Sequence, residues 1–274
     1  MSSLPRSILT SGGRRGAVTL LVTFGLLSAP AIAAPRATLE AGLDPLRPNA
    51  STTVSIGFQI ATDPGQQPPP LTGFAVTLPA GMGFAATTLG LSTCSLHGLL
   101  AEGAGACPHD SLMGFGSAQT VVSIGSQLVH ETAPMSIFMT QPVAGNTTML
   151  FYFNGQAPVI APLVLQTEVL TPENSSASEL STSIPVVPTA PGAADVAIVG
   201  MRSSLGPARL RYFKHVRGHT VAYRPNGLDV PETCPSGGYV FKASFEFEDG
   251  SHTTARSVVP CARRNTSRHK GESR

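Results

Sequence analysis

This chain of 274 residues has no tryptophan, only four tyrosines, and charged side chains at 12% of its positions. With Trp missing and no aromatic stripe elsewhere, nothing in it frames a sugar subsite. No G-x-x-x-x-G-K-[ST] loop occurs, and the only lysines before the C-terminal tail are Lys214 and Lys242, which excludes a P-loop nucleotide enzyme. No G-x-S-x-G elbow occurs either. Gly114-Phe115-Gly116-Ser117-Ala118 lacks the second glycine in the required place. No two of the four cysteines lie two to four residues apart, so the spacing of a structural zinc site is absent. Beyond the N-terminal segment no apolar run approaches a spanning helix, and 157–169 is broken by Pro158 and Pro162.

Cations are missing over a long stretch. Between Arg47 and Arg202 there is no Lys or Arg, while eight acidic residues fall in that span. From Arg202 onward, 13 basic residues face 6 acidic ones, a balance of +7. The two parts therefore carry fields of opposite sign, a pattern suited either to an anionic envelope partner at the basic end or to ordinary solvated surface.

What is present first is an export signal. Arg6, Arg14 and Arg15 precede the apolar run 17–27, and Ala31 and Ala33 form an A-x-A cleavage site. Residues 1–33 are read as a Sec-type signal peptide; the residues after Arg14-Arg15 fit twin-arginine export poorly. The mature chain, roughly 240 residues, then belongs to a secreted or periplasmic protein with no transmembrane segment. In that compartment Cys94, Cys107, Cys234 and Cys261 are expected to be oxidised. Of three pairings the local one, Cys94 with Cys107 and Cys234 with Cys261, is favoured.

Alternation dominates the pattern. In 52–60, Val54, Ile56, Phe58 and Ile60 share one face, and Phe74, Val76 and Leu78 repeat the rule. Strands are also expected at 116–123, 127–131, 135–141, 147–154, 159–170 and 194–201. The unbroken apolar run 149–153 marks a strand covered on both faces. Between the first two cysteines Leu96, Leu99 and Leu100 are spaced i, i+3, i+4, predicting a short helical turn at 95–103 with Ser95 as cap and Gly103 as stop. In 239–247 the odd positions are apolar, and Asp249-Gly250 marks a turn. A three-residue loop would pair Phe245 with Ala255, Phe241 with Val259 and Glu248 with His252, and bring Cys261 opposite Tyr239. The fold class is all-β, an Ig-like or jelly-roll-type β-sandwich over 34–262, with a candidate seam at 185–193 and a disordered basic tail at 263–274.

Two stretches carry a resemblance. Cys107-Pro108-His109-Asp110-Ser111-Leu112-Met113-Gly114-Phe115-Gly116 reads C-P-x-x-S-x-x-G-x-G, and Cys234-Pro235-Ser236-Gly237-Gly238 runs into F-x-A-x-F-x-F-x-D-G. Together they resemble a group of uncharacterised secreted bacterial proteins with predicted β-sandwich folds. The resemblance implies export, disulfides and that fold, and no activity.

Candidate site residues are few. Glu246 and Glu248 share a strand face and form the one paired carboxylate compatible with a glycosidase, against which stands an ordinary charged strand near a hairpin tip. His215 and His219 flank a turn rather than a helix, and His109-Asp110 and His130-Glu131 are adjacent pairs; no metal or other cofactor is expected. Arg209, Arg211, Lys214 and Arg217, interleaved with Tyr212 and Phe213, form a candidate polyanion-binding segment. Export makes nucleic acid an unsuitable partner and an anionic cell-envelope polymer or lipid headgroup a suitable one. The leading expectation is thus an exported, non-catalytic, envelope-associated binding or adhesion protein. Its alternatives are a secreted carbohydrate-active hydrolase and a structural component without a ligand.

Overall fold

Alternation becomes strand wherever one face can be buried. A computed structural model describes residues 35–84, 88–124, 127–155, 162–172, 175–187 and 195–261. The expected signal peptide and basic tail lie outside the described residues, as does most of the expected seam at 185–193. The strands are β1 (Arg36–Asp44), β2 (Ser51–Ala61), β3 (Leu71–Thr77), β4 (Leu112–Ile124), β5 (Gln127–Met139), β6 (Thr147–Asn154) and β7 (Pro162–Leu170). After these come β8 (Glu179–Ser183), β9 (Ala197–Leu205), β10 (Tyr212–Val216), β11 (His219–Tyr223), β12 (Leu228–Asp229), β13 (Tyr239–Phe247) and β14 (His252–Val259). One α-helix, α1 (Leu96–Glu102), lies between β3 and β4.

All the strands except β10 and β11 join one sheet, in the order β1-β2-β9-β4-β5-β6-β7-β8-β3-β13-β14, with β12 added beside β2. Every pairing is antiparallel. The sheet curls until β14 lies alongside β1, where the Ala41 N–H donates to Ser257 Oγ at 3.1 Å. An even number of antiparallel steps separates these two strands, so they point the same way. The apolar faces meet inside, and the all-β sandwich reading holds. Strands β8 and β9, on either side of 185–193, belong to this same sheet.

Strands far apart in the sheet touch through its interior. The Phe58 ring on β2 lies 5.6 Å from Phe74 on β3 and 5.0 Å from Phe245 on β13. All three rings are buried, each contributing roughly 1.5–3 kcal/mol of transfer free energy. Strand β6 is covered on both faces, as its unbroken apolar run predicts. Met149, Phe151 and Phe153 belong to the interior core, while Leu150 packs with Phe138, Leu99 and Cys94 beneath α1.

Helix α1 starts at the expected cap: Ser95 Oγ accepts from the Gly98 N–H at 3.2 Å, and Gly103 ends it at φ 75°. The Cys94–Cys107 disulfide closes this loop, and Cys234–Cys261 closes the C-terminal one. Of the three leucines whose spacing predicted this turn, only Leu99 is buried, while Leu96 and Leu100 stay exposed. A helix of seven residues is under two turns, so it offers the sheet one central position.

Two further expectations change. The strands expected at 127–131 and 135–141 are one strand, β5, running through Pro134. Pairing with β6 begins only at Met135, so the missing proline N–H falls where β6 makes no ladder. The β13–β14 hairpin is shifted by two residues: Tyr239 faces Val259, Phe241 faces Ser257, Phe245 faces Thr253 and Glu246 faces His252. A two-residue slip leaves every side chain on its own face, so burial alone cannot choose between the registers. Local bonds choose. The Phe247 N–H donates to the Ser251 carbonyl, and Asp249 Oδ1 accepts from both the N–H and the hydroxyl of Ser251 at 2.9 and 2.6 Å. Those two bonds also hold the Asp249 carboxyl below the usual carboxylate range.

The residues of the C-P-x-x-S-x-x-G-x-G stretch serve packing. Ser111 is buried, and its hydroxyl donates to the Pro108 carbonyl at 2.6 Å. A Cβ at Gly114 would lie 2.1 Å from the Ser204 carbonyl oxygen on β9, and one at Gly116 would lie 2.1 Å from that of Arg202. Both obstacles are backbone, which cannot swing aside. Gly114→Ala is therefore expected to destabilise the fold by about 3 kcal/mol, read as a lower urea midpoint at unchanged slope. A midpoint equal to wild type would show that β4 and β9 part easily.

Candidate functional site: an outlying basic hairpin

Strands β10 and β11 form a two-stranded sheet of their own. Arg217 at φ 49° and Gly218 at φ 79° supply the two left-handed positions of the tight turn between them, the geometry that matches strand twist in a two-residue hairpin. Residues 213–222 are all exposed, so both faces of the ribbon meet solvent. An isolated hairpin is marginal in water and needs an anchor.

Tyr212 is that anchor. Its buried hydroxyl donates to the Leu112 carbonyl and accepts from the Gly90 N–H at 3.2 Å. Its ring meets Tyr223 edge-on at 5.7 Å, and the neighbouring Phe213 meets His109 edge-on at 6.0 Å. Burial pushes the Tyr212 phenol up to about 12; the Gly90 N–H offsets part of this, and nearby Asp110 adds to the rise.

The four cations proposed from sequence fall on this element and its approach. Arg209, at φ 65°, and Arg211 lead into β10, Lys214 lies within it, and Arg217 occupies the turn; all four are exposed. Lys214 Nζ sits 5.2 Å from the centroid of the Tyr223 ring. Among the described residues none of the four is paired with a carboxylate. The register sorts the remaining side chains. Lys214, Val216, His219 and Val221 occupy one face, and Phe213, His215, Thr220 and Ala222 the other. His215 and His219 thus point to opposite faces, which removes them as joint metal ligands. No cluster of three metal-ligating side chains exists among the described residues.

Val216 and Val221 were no part of the candidate set, and they and Phe213 are each 41–50% exposed. The signal was present in the Arg217-Gly218 turn, flanked by the short runs Tyr212–Val216 and His219–Tyr223.

Of the other candidates, His109 and Asp110 border the root of this hairpin, and the rest lie elsewhere. Glu246 lies on the outer face of β13, over Gly73 in a shallow groove edged by Thr72, Ser181, Ser183 and Ser244. Glu248 falls in the turn after β13, where its N–H donates to the Pro70 carbonyl. His109 and Asp110 occupy a 3-10 turn that also holds Ser111. His130 is exposed and Glu131 buried, as opposite strand faces require. Glu131 lines an apolar cavity of about 110 Å³ together with Leu71, Phe153, Ile184 and Ile198. Comparisons with family models, with curated proteins and with solved structures return no match.

The buried phenols generate a pH expectation. The Tyr239 hydroxyl, buried without a hydrogen-bond partner among the described residues, is also pushed up by burial. A phenol whose folded pKa exceeds the unfolded value of about 10 favours the fold below pH 10 and loses that contribution as pH rises towards 12. In an absorbance titration, two of the four tyrosines should ionise late, together with unfolding. Tyr212→Phe should remove one of them and loosen the hairpin, read as faster amide exchange over 213–222. Unchanged exchange there would mean that the anchor lies elsewhere.

Proposed function

We propose that this is an exported, non-catalytic β-sandwich protein that attaches to anionic surfaces of the cell envelope through the β10–β11 hairpin. One observation carries the reading: a ribbon exposed on both faces, bearing cations with no carboxylate partner among the described residues, anchored at its root by a buried tyrosine. Cations with no internal partner remain free to meet an external anion, and their field reaches about 10 Å at 0.1 M salt. Export is supported by the N-terminal pattern of 1–33 and by two disulfides, which persist in oxidising compartments. No helix among the described residues is long and apolar enough to cross a membrane.

The test is fractionation of cells carrying the mature protein, with washes at rising salt. Envelope retention should fall steeply as salt rises, and Arg211→Gln/Lys214→Gln/Arg217→Gln should shift release to markedly lower salt. Retention indifferent to salt and to those three changes would refute electrostatic attachment.

A further inference from the structure

A purely polyanionic partner accounts for the cations and leaves the hairpin's apolar side chains unexplained. Phe213, Val216 and Val221 are exposed at 50%, 41% and 42% on a ribbon of only two short strands. Leu91 is 56% exposed beside Gly90, whose N–H holds the Tyr212 hydroxyl at the hairpin's root. Scattered apolar residues on a surface are ordinary. Here they stand beside cations on a ribbon whose residues 213–222 are all exposed, with Phe213 meeting His109 edge-on at its root.

Apolar side chains lie on both faces. Val216 and Val221 accompany Lys214 on one, Phe213 occupies the other, and Arg217 caps the tip. A soluble anionic polymer is hydrated throughout and gives such side chains no apolar phase to enter. An anionic bilayer supplies both requirements in layers: phosphates at the headgroup level for Lys214, Arg217 and Arg211, and acyl chains just beneath for the valines and Phe213. The long Lys and Arg stems suit this arrangement, since they keep a charge among headgroups while the backbone sits deeper. The ribbon's own hydrogen bonds pair the backbone across its ladder, which limits the unsatisfied polar groups that would enter the interface.

We infer that the β10–β11 hairpin is a membrane-surface insertion element whose partner is an anionic phospholipid bilayer, with Val216, Val221 and Phe213 entering the headgroup–acyl boundary and Lys214, Arg217 and Arg211 holding lipid phosphates. This inference rests on the electrostatic attachment proposed above and names its partner.

The experiment compares flotation of the disulfide-intact protein with three probes: phosphatidylcholine vesicles, the same vesicles containing phosphatidylglycerol, and dextran sulfate in solution. Wild type should float only with the phosphatidylglycerol vesicles. Val216→Ser/Val221→Ser should lose vesicle binding at least tenfold while keeping its weaker affinity for dextran sulfate. Lys214→Gln should weaken both, by about fivefold on vesicles. The exposed positions keep these variants folded, checked by an unchanged urea midpoint; Phe213→Ser serves as an independent apolar variant on the other face. Vesicle binding that survives both apolar variants at wild-type strength would overturn insertion. Binding of wild type to dextran sulfate with none to anionic vesicles would overturn the bilayer and leave the electrostatic reading standing. Binding to neither probe would refute both.

Discussion

The contact of Phe58 with Phe74 and Phe245 is the constraint from which the architecture follows. Strand β2 is separated by many neighbours along the hydrogen-bonded order from β3 and β13, which pair with each other, yet the Phe58 ring lies 5.6 Å from Phe74 and 5.0 Å from Phe245. A long antiparallel sheet with one apolar face cannot remain open in water. Burying that face against itself brings β14 to β1 and leaves the polar faces outside. The close β4–β9 approach over Gly114 and Gly116 belongs to the same closure, since a tightly curled sheet leaves no room for a Cβ where backbone meets backbone.

The two disulfides act at points where the sheet does not reach. Cys94–Cys107 fastens a helix too short to hold itself and so covers the outer face of β6 with Leu99. Cys234–Cys261 joins the chain entering β13 to the chain leaving β14, next to Gly238 at φ 81°. Each closes its loop by a covalent link, which constrains the unfolded chain more the longer the loop it closes.

Against this closed body the β10–β11 hairpin stands apart. Only its root is integrated, through Tyr212 and the Gly90 and Leu112 backbone groups. A rigid body with one marginal, exposed ribbon is a sound arrangement for surface attachment. The ribbon can yield to a partner without cost to the core, and the anchor keeps its cations in one place. The carboxylates at Glu246 and Glu248 have a different setting: one sits on a strand of the closed sheet, the other in the turn beyond it.

Alternation by itself determined β2, β3 and the buried odd face of β13, an unbroken apolar run the double covering of β6, and Ser95 with its leucine spacing the capped turn. Each follows from side-chain period and local capping, which act within a few residues. Strands β1, β8, β10 and β11 were not expected. Cysteine spacing favoured the pairing that forms. The segment carrying the basic site was legible as charge, and the arginine–glycine turn as a turn. Tertiary structure decided the rest. Whether Leu96 and Leu100 are covered depends on how much sheet lies under α1, and the register of β13 on β14 depends on Asp249 and Ser251 closing the turn. That Lys214, Arg217, Val216 and Phe213 stand together in solvent depends on the sheet closing without them. Burial is a property of the partner surface, and no local pattern contains the partner.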